Sequence, residues 1–318
     1  MDATAQPLDA WAGIDVSKDR LDVHIHPAGE LFSVSRDVAG LDVLIGRLKP
    51  LALKAIAVEA TGGFEAIVVA GLAAEGLPVI VVNPAQVRSF ATALGKRAKT
   101  DPIDAAVIAR FVEAVRPQIR PLPSRETQAL ADLMARRRQI VQMIAAERQR
   151  ALRTADDRLQ KSIARLLKAL ERELKSLDGD IDTSVRGSPV WREKEDLLVS
   201  VPGVGKIIAR TLLAEMPELG RLDRRQISAL AGLAPYTRQS GKWRGKSFIG
   251  GGRSSCRAVL FVGALVATKH NSDLKAFHQR LIDAGKPKIV ATVAVARKLL
   301  TILNAILRDK SKWSPKTT

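Results

Sequence analysis

Four acidic residues in the first third of the chain have the type and placement for divalent-metal chemistry. Asp15 stands in GIDVSK, Glu59 closes the apolar run AIAVE, and Asp101 and Asp104 lie three apart in KTDPIDA. Carboxylates are hard oxygen donors and select magnesium or manganese. Two such ions about 3.5–4 Å apart grip the attacking and leaving oxygens of a phosphodiester. Lys96, Arg97 and Lys99 precede the last two acids, and bases are what a phosphate backbone requires. Each acid also has a local account. Asp101 suits a helix N-cap, Pro102 the first helical position, and Asp104 the first turn, where the helix dipole favours negative charge. Asp15 would satisfy a turn, and Glu59 would pair with Lys54. An acid that ends an apolar strand just before Ala-Thr-Gly-Gly is harder to assign to structure alone.

Other metal chemistries are restricted by composition. Cys256 is the one cysteine, so an internal disulfide and every Cys-rich zinc site are excluded. There are four histidines, His24, His26, His270 and His278. His24 and His26 would share one face of a strand and could bind metal, but no third histidine lies nearby. The chain carries 51 Lys and Arg against 33 Asp and Glu, a net charge of +18. That excess implies a polyanionic partner, nucleic acid before all others. A membrane partner finds no support. The opening MDATAQPLDAW lacks an apolar run, AVLFVGALVA is too short to span, and IVATVAVARKLLTILNAIL is interrupted by Arg297 and Lys298. The chain reads as cytoplasmic.

The elements that must position the acids follow from periodicity. Residues 11–27 alternate as two strands around a turn at Lys18-Asp19, AIAVE and PVIVV are short buried strands, and FEAIVVAGLAAEG is a helix. A further helix starts at Ala85, and AAVIARFVEAV follows the two aspartates. Strands alternating with helices imply an α/β sheet with some parallel pairing. Acids on the first strand, at the end of another strand and at the start of a helix make the arrangement of an RNase H-like nuclease core. IRPLPSRE is a connector. A long helical stretch, Glu126 to Leu177, carries a seam at Leu159, Ile163, Leu166, Leu170, Leu174 and Leu177, with Leu130, Leu133, Ile140 and Ile144 as its partner face. We expect a coiled-coil arm that assembles subunits and touches nucleic acid through Arg136, Arg137 and Arg138. GDIDTSVRGSPVW reads as a second linker. Beyond it, Pro202-Gly203-Val204-Gly205-Lys206 lies between two helices in a helix-hairpin-helix-like pattern that would bind phosphate. A helix, a Gly- and base-rich loop, a buried helix from Ser254 and three further helical segments to Leu307 complete the chain. The expected domains are an α/β RNase H-like (RuvC-like) domain over 1–118, the arm over 119–182, and a mainly α-helical C-terminal domain over 183–318.

The motifs GIDVSK, VEATGGFE, VVNPAQVRSFA, GKRAKTDPIDA, VPGVGKIIARTLLAEMPELG and GLAPYTRQSGKWRGKSFIGGGRSSCRAVLF, with the terminal HNSDLKAFHQRL and GKPKIVATVAVARKLLTILNAIL, span nearly the whole chain. Together they resemble the DEDD-type insertion-sequence transposases, bridge-RNA-guided recombinases with a RuvC-like domain and a C-terminal serine transposase domain. The resemblance implies that Asp15, Glu59, Asp101 and Asp104 are the acids that name the type, holding magnesium or manganese. It implies a serine nucleophile, best matched by Ser240 in RQSGKW, that forms a covalent phosphoserine. Ser247, Ser254, Ser255 and Tyr236 are its rivals. Lys206, Lys242, Arg244, Lys246, Arg253 and Arg257 are candidate phosphate contacts, and Gly250-Gly251-Gly252 would let backbone approach nucleic acid. The implied partners are donor and target DNA, a structured guide RNA and further copies of the chain, up to a tetramer. A metal-dependent junction nuclease, hydrolysing with water through the same acids, is the alternative.

Overall fold

The computed structural model describes residues 9–96, 101–119, 124–237, 239–241 and 243–315, with only the backbone at 101–103, 243 and 244. The expected contacts Arg97, Lys99 and Lys242, and the side chains of Asp101 and Arg244, therefore lie outside the described residues. The chain forms two compact units, residues 1–122 and 123–318.

The first unit is built on a five-stranded sheet of β1 (Trp11–Val16), β2 (Arg20–His26), β3 (Glu30–Ser35), β4 (Ala55–Glu59) and β5 (Val79–Val82) in the order β3-β2-β1-β4-β5. The first three strands form an antiparallel meander, while β4 and β5 join parallel to β1. Parallel strands need crossovers, supplied by α1 (Val38–Leu48) and α2 (Glu65–Ala74). α3 (Pro84–Ala93) and α4 (Asp101–Val115) follow β5. Alternate residues of β1, β2 and β4 bury opposite faces. Ile14, Val23, Ile56 and Val58 pack with Leu44, Leu48 and Leu72 on one side. Trp11, Ala55, Ala57 and Val82 pack with Val107, Ile108, Phe111 and Val112 of α4 on the other. This mixed sheet, with helices on both faces, fits an RNase H-like domain.

The second unit is helical. α5 (Arg125–Arg153) and α6 (Asp157–Gly187) form an antiparallel hairpin. Leu130 and Met134 meet Ile181 and Val185, while Ile140 and Ile144 meet Leu170 and Leu177. Within the stretch from Glu126 to Leu177, Asp156 accepts bonds from the Arg158 and Leu159 amides and starts the second helix, so the seam and its partner face lie on the two arms. One expectation needs correction here. GDIDTSVRGSPVW is no linker: α6 runs through it to Gly187, because Ile181 and Val185 continue the seam and are fully buried. α7 (Pro189–Val199), α8 (Lys206–Glu215) and α9 (Arg224–Leu230) follow, then a ribbon of β6 (Gln239–Ser240) and β7 (Trp243–Arg244). After α10 (Ser254–His270) come two helices, not three: α11 (Ser272–Asp283) and α12 (Lys288–Asp309). α12 is long and apolar enough to cross a bilayer, but Val295, Leu299, Leu300 and Leu303 are fully buried in the core of this unit. Gly203, at φ +103°, lets the α7–α8 turn sit against α10, where a Cβ would come 2.8 Å from the Ala267 backbone.

Candidate active site

Strand register brings the first two acids together. In the parallel pair β1–β4, Ile14 lies opposite Val58. Asp15 and Glu59 are the next residues, so they leave the C-terminal ends of neighbouring strands, whose backbones run about 4.8 Å apart. Both share the sheet face of Gly13 and Ala57, the face that α4 covers. Gly13 sets how closely α4 docks: a Cβ there would lie 2.2 Å from the Ala105 carbonyl oxygen and 2.4 Å from the Ala109 nitrogen. Asp104 immediately precedes Ala105, so the same close approach fixes where the start of α4 stands against β1. Position 101 lies four residues before Ala105, on the same side of the helix. Asp15, Glu59 and Asp104 are half-buried, and each is engaged by neighbours.

The loop after Glu59 is folded around another acid. One Glu65 carboxylate oxygen accepts from the Thr61 amide at 3.1 Å, the Thr61 hydroxyl at 3.2 Å and the Gly63 amide at 2.8 Å. Gly62 and Gly63 take φ +77° and +121°, which residues with a Cβ rarely adopt. Burial pushes the Glu65 pKa up, but these hydrogen bonds and that of its own amide outweigh it, and the group titrates below the ordinary range.

Register also shows an acid that sequence reasoning missed. Asp22 on β2 lies opposite Asp15 and is 3% exposed. Arg20 Nε donates to it at 2.9 Å and Ser33 Oγ at 2.5 Å. Arg20 is its neighbour on the same strand, but only the β1–β2 and β2–β3 pairings bring Asp15 and Ser33 to it. On the same strand His24 has its pKa lowered, first by burial and then by His26, Arg110 and Lys96, so the expected base Lys96 stands within electrostatic reach of this face. His26 Nε2 pairs with Glu113 at 3.0 Å. Asp15, Glu59 and Asp104 offer only oxygen, and this donor set fits a hard divalent cation. Among the described residues no three His, Cys, Asp or Glu side chains gather as a metal-binding group, and the side chain of Asp101 is outside them.

The second unit holds the remaining expected residues. Ser240 is exposed in the β6–β7 ribbon, its backbone paired with Trp243 and followed by Gly241 at φ +55°. Ser255 instead donates to the Glu215 carboxylate. Burial, then the charge of Glu215, pushes the Cys256 thiol up to about 12, which leaves it inert. The expected phosphate contacts divide. Lys246 is exposed. Arg253 grips Glu218 with two bonds of 2.5 and 2.7 Å, and Arg257 donates to the carbonyls of Gly251 at 2.6 Å and Ala231 at 3.2 Å. On the hairpin, Arg136 bonds Gln139, Arg137 bonds Asp178 at 2.6 Å and Arg138 bonds Glu215 at 2.6 Å. Lys206 lies 3.4 Å from Asp182.

Comparison with known proteins identifies the family. Residues 12–158 match a DEDD-type IS110 family model described as transposase, and residues 195–279 match the transposase IS116/IS110/IS902 family, together more than two thirds of the chain. The pilin gene-inverting protein of Moraxella bovis is 29% identical over 242 residues, 73% of each chain, and its counterpart in Moraxella lacunata aligns equally. An insertion element IS900 uncharacterized 42 kDa protein of Mycobacterium paratuberculosis is 29% identical over 163 residues, 49% of this chain and 40% of its own.

Proposed function

The chain belongs to the IS110-type DEDD transposases, a DNA-cleaving family, and from that premise we propose that it is a site-specific recombinase working through a covalent phosphoserine. Asp15, Glu59, Asp101 and Asp104 hold magnesium or manganese, whose charge, when bound, neutralises the phosphate under attack. Ser240 Oγ attacks the phosphorus and the bond to the 3′ oxygen breaks. The serine proton leaves and the departing oxygen takes one up, which gives a 5′ phosphoserine and a free 3′ hydroxyl. Attack by the 3′ hydroxyl of another strand reverses the chemistry and preserves the phosphodiester energy. The observation that supports this proposal is the register that sets Asp15 and Glu59 on neighbouring strands, on the sheet face that α4 covers. The Moraxella relatives, named for inverting a pilin gene, support a site-specific reaction.

Charge and surface accord with the finer parts, while the guide RNA comes from the family resemblance. A net +18 suits donor and target DNA together with a structured guide RNA. The hairpin acts as a coiled-coil arm between subunits, up to a tetramer. Its seam is buried at Leu170 and Leu177, yet Leu152, Leu159 and Leu166 remain exposed toward the turn. The α7–α8 turn acts as a helix-hairpin-helix element, with Lys206 and the first amides of α8 meeting a phosphate. The three parts 1–118, 119–182 and 183–318 thus have separate tasks, in the cytoplasm on nucleoid DNA. One observation favours hydrolysis instead: Ser240 holds an ordinary turn position beside Gly241. A denaturing gel of magnesium-treated reactions separates the two, since the recombinase yields a protein–DNA adduct and the nuclease only nicked DNA.

A further inference from the structure

The ribbon that carries Ser240 also carries two exposed aromatic rings. Tyr236 is 51% exposed and Phe248 47%. Their backbones exchange two hydrogen bonds, of 2.8 and 3.2 Å, in an antiparallel bridge. Their rings lie 5.6 Å apart with planes inclined by 25°, a stacked pair. Aromatic residues make up only 4% of this chain, and Tyr236 is its single tyrosine. A ring pair of this size is usually buried, and here both residues are about half exposed within a strongly basic segment.

The surroundings suit a nucleotide. Lys246, exposed two residues from Phe248, supplies a positive charge. Gly251, at φ +64°, lies beside the tyrosine, and a Cβ there would be 3.5 Å from the phenolic oxygen, so the floor next to the ring is bare backbone. Arg257 fixes that floor by its 2.6 Å bond to the Gly251 carbonyl. Tyr236 and Ser240 are four positions apart, a reach of at most about 14 Å, which a few nucleotides span.

We propose that Tyr236 and Phe248 form a stacking platform for an unpaired base of the DNA strand cleaved at Ser240. Strand exchange leaves such bases, and stacking tolerates any of them because every base has a π-face. The inference rests on the recombinase reading for bringing DNA to this ribbon.

The test uses the full-length protein and a fluorescently labelled 20-nucleotide DNA single strand of mixed sequence. A matched set carries one abasic site at each position in turn. Anisotropy should show one or two positions at which the missing base weakens binding roughly tenfold. Tyr236→Phe should keep that penalty. Tyr236→Leu, which leaves Phe248 an apolar cross-strand partner, should abolish it while binding of the intact strand falls to the abasic level. A penalty absent from the wild type, or equal in wild type and the leucine variant, overturns the proposal. So does a penalty seen only with an oligoribonucleotide of the same sequence. The wild-type series alone decides if the leucine variant unfolds. Adduct formation at Ser240, assayed on the same preparations, separates the two readings. An adduct without an abasic penalty removes the platform and leaves the recombinase, and the reverse result does the opposite.

Discussion

Replacing Gly13 by alanine drives a methyl group into the backbone of α4. The new Cβ would lie 2.2 Å from the Ala105 carbonyl oxygen and 2.4 Å from the Ala109 nitrogen, where ordinary contacts begin at 3.4 Å. Neither atom is the end of a flexible side chain, so the helix must retreat by about 1 Å, the order of shift that overpacking forces on a backbone. Asp104 retreats with it. Overpacking of this kind costs about 1–3 kcal/mol, a sizeable part of a typical stability of about 5–15 kcal/mol. A 1 Å misplacement of reacting groups costs about 100-fold in rate. Gly13→Ala should therefore lower the unfolding temperature modestly and slow magnesium-dependent DNA cleavage about 100-fold. Gly46→Ala is the control: it lies in α1 with open space beyond it, should gain about 0.5–1 kcal/mol, and should cleave normally. A Gly13→Ala protein that cleaves at the wild-type rate would refute the claim that this close approach sets the site.

Three further outcomes are expected. Arg210 is 4% exposed and bonds Glu195 at 2.5 Å and Asp182 at 2.6 Å, so Arg210→Met strands a buried carboxylate. The loss should be about 3–5 kcal/mol in denaturant unfolding, with most of it recovered by adding Glu195→Leu. The lowered Glu65 pKa means its stabilisation is present above the ordinary glutamate value of 4.5 and is lost as pH falls through the lowered one. Glu65→Gln should therefore cost about 1 kcal/mol at neutral pH, and the difference should vanish in acid melts. Leu159→Asp with Leu166→Asp alters exposed leucines, so light scattering should show a smaller oligomer while circular dichroism stays unchanged. An unchanged mass would remove the hairpin from assembly.

The central strands were legible in the sequence because β1, β4 and β5 are short apolar runs, and α4 because Asp-Pro-Ile-Asp precedes apolar residues at helical spacing. β3 was not, since an edge strand reading ELFSVS buries little and only Phe32 and Val34 are partly covered. The end of α6 was obscured by Gly179, three aspartates and Gly187, which read locally as a break. The helix persists because Ile181 and Val185 pack on Leu130 and Met134, and tertiary burial outweighs a glycine cost of about 1 kcal/mol. Asp15 and Glu59 could be named from their places on strands. Their adjacency is a matter of register, and so is Asp22, whose partners lie on β1 and β3. The role of Gly13 is invisible without α4 in place, because a glycine inside a strand has many uses. The bases posed the reverse problem. Lysines and arginines are obvious in a sequence, but their engagement with Glu218, Asp178 or a backbone carbonyl is a tertiary fact.

Covalent capture tests the central claim most directly. The protein would be incubated with magnesium, its cognate element RNA and labelled donor and target DNA, then denatured and digested, and the adduct mapped by mass spectrometry. Wild type, Ser240→Ala and Asp101→Asn would run side by side. The recombinase account predicts a phosphodiester link on Ser240 in the wild type and none in either variant. Cleavage that survives Ser240→Ala with no adduct would contradict it and make the enzyme a hydrolytic nuclease.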